Sequence, residues 1–168
     1  ELKFDRGNSY LGLSKNTELA YIKTHKYRFK KIFSSIPYSP NSISIFDIGT
    51  TPLTFFIKQI YPHYKVATID LTNVMEERCK ERGIIFKRCN LNKSNIPFED
   101  QYFDIVISTE VLEHLIIQPS KFMKEVYRVM RKGGLLIFSV PNLVTLFNRV
   151  RFLFGYSPFK SPDEQMKE

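Results

Sequence analysis

Five short apolar runs, at residues 43–48, 66–69, 84–87, 103–108 and 135–140, alternate with longer segments of helical pattern. This order constrains the fold more than any single residue does. Strands that are apolar along nearly their whole length are buried on both faces. Strands separated by helices cannot pair as hairpins, so they run parallel and the helices cover the sheet. The chain is therefore expected to form a three-layer α/β domain.

The punctuation supports this reading. Gly49 closes the first run, and Pro52 suits the first turn of a helix over 53–60. Asn73 is placed to cap a helix through Arg82, with Gly83 at its C-terminal end. After Ser108 a helix is expected in pieces to Arg131, interrupted near Pro119, and Lys132, Gly133 and Gly134 then turn into the last run. Residues 143–154 read as a further helix. Upstream, residues 17–35 form an amphipathic pattern: Leu19, Ile22, Phe29, Ile32, Phe33 and, less regularly, Tyr27 supply apolar positions, and Lys23, Lys26, Lys30 and Lys31 make a basic face. The expected organisation is an N-terminal helical cap at 1–42, a core at 43–142, and a C-terminal helix and lid segment at 143–168.

A chain of 168 residues fits one domain with a sizeable core. Its 43% hydrophobic and 25% charged residues are ordinary for a globular protein and exclude a disordered one. No apolar run reaches the roughly 20 residues of a membrane span, and no signal peptide is recognisable. Cys79 and Cys89 lack metal-binding spacing, which reads as a cytoplasmic protein with two free thiols. The net charge of +8 favours an anionic contact: nucleic acid, a phosphorylated sugar or a membrane surface. The charged run at 162–168 reads as the end of a fragment rather than of a domain.

Open α/β sheets bind ligands at the carboxyl ends of their strands. At the first such end stand Asp47, Gly49 and Thr50, where glycine lets a ligand approach backbone N–H groups. Asp70 ends the second run, at about the 20-residue separation from the glycine loop that suits an acidic partner for ribose hydroxyls. Asn90 and Leu91 follow the third run, where a polar side chain serves either an adenine amino group or a plain turn. The fourth run opens into Thr109, Glu110, Glu113 and His114. On a helix Glu110, Glu113 and His114 share one face. Two carboxylates and an imidazole there suit a divalent cation such as Mg²⁺; otherwise His114 is a general base near neutrality or a packing residue.

These motifs, in order, resemble class I S-adenosylmethionine-dependent methyltransferases of the type 11 group. They are Asp-Ile-Gly at 47–49, the Asp at 70, Asn-Leu at 90–91, Ile-Pro-Phe at 96–98, Phe-Asp-Ile-Val-Ile-Ser at 103–108, Val-Leu-Glu-His-Leu at 111–115, Arg-Lys-Gly-Gly at 131–134 and Ser-Val-Pro-Asn at 139–142. The resemblance implies a Rossmann-like, mostly parallel sheet, whose final antiparallel strands are expected beyond Glu168. It implies S-adenosylmethionine as cofactor, with Asp47, Gly49 and Thr50 around its methionine part and Asp70 on its ribose. Leu71, Asn90 and Leu91 would surround its adenine, and Thr109 and Glu110 would lie beneath the sulfonium. Glu110 and His114 are the implied acceptor-side catalytic candidates.

The chain departs from the family in the first loop, where Thr51 and Pro52 replace the usual further glycines. The Glu-x-x-Glu-His cluster also resembles the metal motif of ubiquinone-pathway O-methyltransferases and small-RNA 2′-O-methyltransferases. The latter use a later histidine, and here His25, His63 and His114 all precede the fifth run. The basic, aromatic segment at 148–160 suits bases, lipid or sugar. The expected reaction is O-methylation of a small-molecule or saccharide acceptor. The rivals are a metal-dependent RNA 2′-O-methyltransferase and a degenerate fold that only binds.

Overall fold

The structure, a computed structural model, describes residues 15–142, 149–150 and 153–155. Its elements follow in the order α1 (Lys15–Ser35), β1 (Ser44–Ile48), α2 (Pro52–Ile60), β2 (Lys65–Asp70), α3 (Glu76–Glu81), β3 (Ile85–Arg88), β4 (Phe103–Thr109), α4 (Pro119–Val129) and β5 (Met130–Ser139). A single 3₁₀ turn, Leu112–His114, lies between β4 and α4.

The five strands form one parallel sheet in the order β3-β2-β1-β4-β5. The chain steps outward from β1 through α2 and α3, returns to the other side of β1, and steps outward again through α4. Right-handed crossovers therefore place α2 and α3 on one face and α4 on the other. The two cores show the same division. Ile45, Val66, Ile105 and Ile107 pack with Leu53, Phe55 and Cys79 on the first face. Phe46, Ile48, Ala67, Ile69 and Val106 pack with Phe122, Val126 and Val129 on the second. Alternate strand residues thus serve opposite faces, as the pleat requires.

The amphipathic helix α1 belongs to the first face. Its Ile22, Phe29 and Ile32 are buried, and Phe29 meets Phe56 of α2 edge-on at 6.3 Å. The expected three-layer α/β fold is therefore present, and the sheet is wholly parallel among the described residues.

Several boundaries differ from the sequence reading. α3 begins after Met75, and Asn73 contributes a backbone carbonyl to the Glu76 N–H (3.0 Å) rather than a side-chain cap. Pro119 starts α4 instead of interrupting a helix, which agrees with its preference for the first turn. β5 begins at Met130, which already pairs with Phe103; the double glycine forms a bulge before Leu135 meets Ile105. Gly133 has φ +76°, and a Cβ on Gly134 would lie 2.7 Å from Met130 Cγ and 2.9 Å from the Arg131 carbonyl. Only small backbone fits there. Of the helix read over 143–154, Arg149, Val150 and Leu153 are helical and the rest lies outside the described residues, apart from the turn at 154–155.

Candidate active site

The chain reverses direction across the sheet between β1 and β4, and such a switch point opens a crevice at the carboxyl ends of the strands. A cleft of about 290 Å³ lies there. Gly49, Asp70, Leu71, Asn90, Leu91, Glu110 and His114 all line it, together with apolar Ile48, Ile69, Val111 and Leu115. Seven of the sequence-derived candidates thus meet in one cavity. Asp47, Thr50 and Thr109 do not line it.

The loop geometry explains the cleft's shape. Gly49 has φ +89°, and its N–H donates to the Ile69 carbonyl at 3.1 Å, which fixes the loop against β2. Asp70 accepts backbone N–H groups from Thr50 and Thr72, each at 3.3 Å. Asn90 Oδ1 accepts the Asn92 N–H at 3.0 Å. Asn92 Oδ1 accepts the N–H of Ile116 at 2.8 Å and so ties the loop after β3 to the segment after β4. Both walls of the cleft are held by side chain to backbone bonds.

The altered glycine loop has its own internal support. Thr51 is extended (φ −130°, ψ 172°) and caps α2: the Leu53 N–H donates to its hydroxyl at 3.2 Å. In return the Thr51 N–H donates to Thr54 Oγ1 at 3.1 Å, and the Thr54 hydroxyl donates to Asp47 Oδ2 at 2.6 Å. Threonine in place of glycine therefore builds a capping box that holds Asp47. Burial pushes the Asp47 carboxyl up to about 7, although the Thr54 hydrogen bond opposes the rise. Thr50 turns its hydroxyl inward to Thr68 (3.2 Å), which leaves only its backbone near the cleft.

The cluster after β4 is built differently from the sequence reading. Glu110 has φ +57°, so no helix runs through it, and helical turning starts only at Leu112. Glu110, Glu113 and His114 consequently do not share a helical face. The Glu110 N–H donates to the Ser139 carbonyl (3.1 Å), and the Ser139 hydroxyl donates to Glu110 Oε1 (2.9 Å). The same oxygen is 3.1 Å from Arg28 Nη1 of α1. His114 is left beside Glu113, at 4.0 Å. Among the described residues no three His, Cys, Asp or Glu side chains gather as a metal-ligand group, so the Mg²⁺ expectation has no support. Thr109 pairs with Ser139 in the β4–β5 ladder, one residue before the left-handed turn.

Helix α1, expected from the sequence to border the acceptor and to bring Tyr21 over the cofactor, also supplies Arg28 and His25, which the motifs did not single out. Arg28 Nη2 donates to His25 Nδ1 at 2.7 Å, and His25 meets Tyr21 edge-on at 4.3 Å. Burial lowers the His25 pKa, helped by the Arg28 charge, and burial raises that of Tyr21. The Arg28 contact leaves His25 Nδ1 as an acceptor. Among the described residues, Arg28 Nε and Ser108 Oγ are buried without hydrogen-bond partners. Tyr21, His25 and Arg28 recur at i, i+4 and i+7, one helical face. That spacing is visible in the sequence, but its target on Glu110 is not.

Residues 47–138, more than half of the chain, match the family described as Methyltransferase domain. The chain belongs to this family. A Mycobacterium tuberculosis (strain CDC 1551 / Oshkosh) protein named probable S-adenosylmethionine-dependent methyltransferase MT3114 is 41% identical over 76 residues, 45% of this chain and 27% of that protein. Phthiotriol/phenolphthiotriol dimycocerosates methyltransferase 1 of Mycobacterium ulcerans is 36% identical over 75 residues, 42% of this chain and 27% of that protein. The chain thus matches only about a quarter of the length of these relatives. In fold it is similar to the Thermotoga maritima S-adenosylmethionine-dependent methyltransferase TM1293, with a TM-score of 0.60, 19% identity, and coverage of 90% of this chain and 73% of that one.

Proposed function

We propose that this domain transfers a methyl group from S-adenosylmethionine to an oxygen of a small or glycan-linked acceptor. The observation that carries the reading is the convergence of Gly49, Asp70, Asn90 and Leu91 in one cleft at the sheet's switch point. Those donors suit the cofactor chemically. Asp70 offers carboxylate oxygens to a ribose diol, Leu71 and Leu91 offer apolar contact to a flat base, and Asn90 offers a polar edge. Gly49 leaves room for backbone approach, since a Cβ there would meet only Val111 Cγ2 at 3.8 Å. Asp47 and the Thr50 backbone stand behind the loop for the methionine end. Bound there, S-adenosylmethionine supplies an electrophilic methyl group with a good leaving group.

The chain's own residues then have to position an acceptor. Glu110 is held by Arg28 and Ser139 and directs acceptor polar groups rather than taking up a metal. Its left-handed backbone stores strain of the kind found at functional sites. His114, which lines the cleft, serves as the acceptor-side base, and Thr109 lies beneath the sulfonium of the bound cofactor. Lipid-linked acceptors also fit, given the relative named for phthiotriol dimycocerosates.

Incubation of the full chain with methyl-labelled S-adenosylmethionine and separate saccharide, glycolipid and RNA pools tests the reading. Label is expected in a saccharide or glycolipid fraction and is expected to survive chelator. Labelling confined to RNA and abolished by chelator would overturn it.

A further inference from the structure

Helix α1 is two-sided. One side is spent on the core through Ile22, Phe29 and Ile32 and on the site through Tyr21, His25 and Arg28. The other side exposes Lys23, Lys26, Lys30 and Lys31 around Tyr27, which is 72% exposed, with Leu19 at 42%. Lys31 Nζ lies 5.1 Å from the centre of the Tyr27 ring. From residue 19 to residue 46 the sequence holds five Lys or Arg and no Asp or Glu, and Glu18 is the one acid within α1, so the helix carries a clear excess of positive charge.

We propose that this face of α1 seats the protein on an anionic membrane surface. The charge selects an anionic partner and opposes a second copy, whose own lysines would repel it. The composition favours lipid over nucleic acid. The helix's one arginine, the side chain best suited to forked phosphate contacts, is turned inward to Glu110, while the outward side carries lysines with a tyrosine and a leucine. Tyrosine is at home where an apolar boundary meets water. The stripe runs along one straight helix, about 12 Å from Lys23 to Lys31 at 1.5 Å per residue, and suits a flat surface.

The apolar face of α1 is consumed by the domain core, so the helix adsorbs by charge and does not insert. Adsorption is therefore salt-sensitive, because exposed charges are screened over about 10 Å at ordinary ionic strength. The partner follows from the charge and composition of this face, independently of methyl transfer. Only the corollary, that docking delivers a lipid-linked acceptor to the nearby Arg28–Glu110 wall, rests on the methyl-transfer reading.

Flotation of the full chain with phosphatidylcholine vesicles, with and without phosphatidylglycerol, tests the proposal without any cofactor, so its failure leaves methyl transfer untouched. The protein is expected to float only with the anionic vesicles and to be released by high salt. Combining Lys23→Gln, Lys26→Gln, Lys30→Gln and Lys31→Gln should weaken binding by about 600-fold, at about 5-fold per lysine. The pair Lys26→Gln and Lys31→Gln, a smaller change to an exposed surface, should weaken it by about 25-fold. Equal flotation with neutral vesicles, or unchanged flotation of both variants, would overturn the proposal. So would a duplex RNA that is retained more tightly than the anionic vesicles and loses its binding in the same variants.

Discussion

Arg28 of α1 and Glu110 at the end of β4 are joined by a 3.1 Å ion pair that spans from the helical layer to the carboxyl edge of the sheet. Both side chains are about a quarter exposed, at 23% and 30%. Glu110 is further held by Ser139, and Arg28 by its contact with His25. The pair ties α1 to Glu110, which lines the cleft.

A double-mutant cycle should detect this coupling. Arg28→Met, Glu110→Gln and their combination are expected to show a coupling energy of about 0.5–2 kcal/mol in urea unfolding. Arg28→Met should also leave Glu110 free to change its approach to an acceptor, lowering turnover more than cofactor affinity. Strictly additive losses of stability would mean that the two residues act independently.

Asp47 gives the fold a pH dependence of predictable sign. Its folded-state value of about 7 lies above the ordinary 3.8, so folding favours the protonated form. That contribution is complete below about pH 4 and is lost as pH climbs through about 7, an interval worth roughly 4 kcal/mol. Asp47→Asn keeps an acceptor for the Thr54 hydroxyl and cannot ionise. Chemical denaturation should therefore find the variant more stable than the parent at pH 8, with the advantage vanishing at pH 4. The same gain at both pH values would reject the buried carboxyl as its source.

Much of this was legible in the sequence, for a physical reason. Buried parallel strands must be apolar along their length, so five runs announced five strands. The strand ends then located Gly49, Asp70, Asn90 and Leu91 together, because topology alone brings carboxyl ends to one edge. The cluster at Glu110 was not legible in the same way. A helix-like spacing from Glu110 to His114 is a local signal, whereas its left-handed backbone is accompanied by bonds to Ser139 and Arg28, both distant in sequence. Long-range contacts overrode the local pattern. Thr51 was similarly opaque: in sequence it is only a departure from the family's glycines, and its value as a helix cap depends on Thr54 and Asp47 closing the network.

The bulge in β5 offers a test of backbone fit. Gly134→Ala would bring a methyl group within 3.0 Å of one side-chain and two backbone atoms. A loss of about 1–3 kcal/mol is expected, as for other overpacked sites. A melting temperature equal to the parent's would show that the bulge relaxes without cost.

Cofactor binding at Asp70 is the central point. Titration calorimetry of the full chain with S-adenosylmethionine should give a dissociation constant between about 1 µM and 1 mM, the usual range for enzyme substrates. Asp70→Ala should weaken it by about 1.5–3 kcal/mol, as expected for loss of a hydrogen bond to a charged group. No heat at millimolar cofactor, or an Asp70→Ala titration that superimposes on the parent's, would contradict the assignment of this cleft.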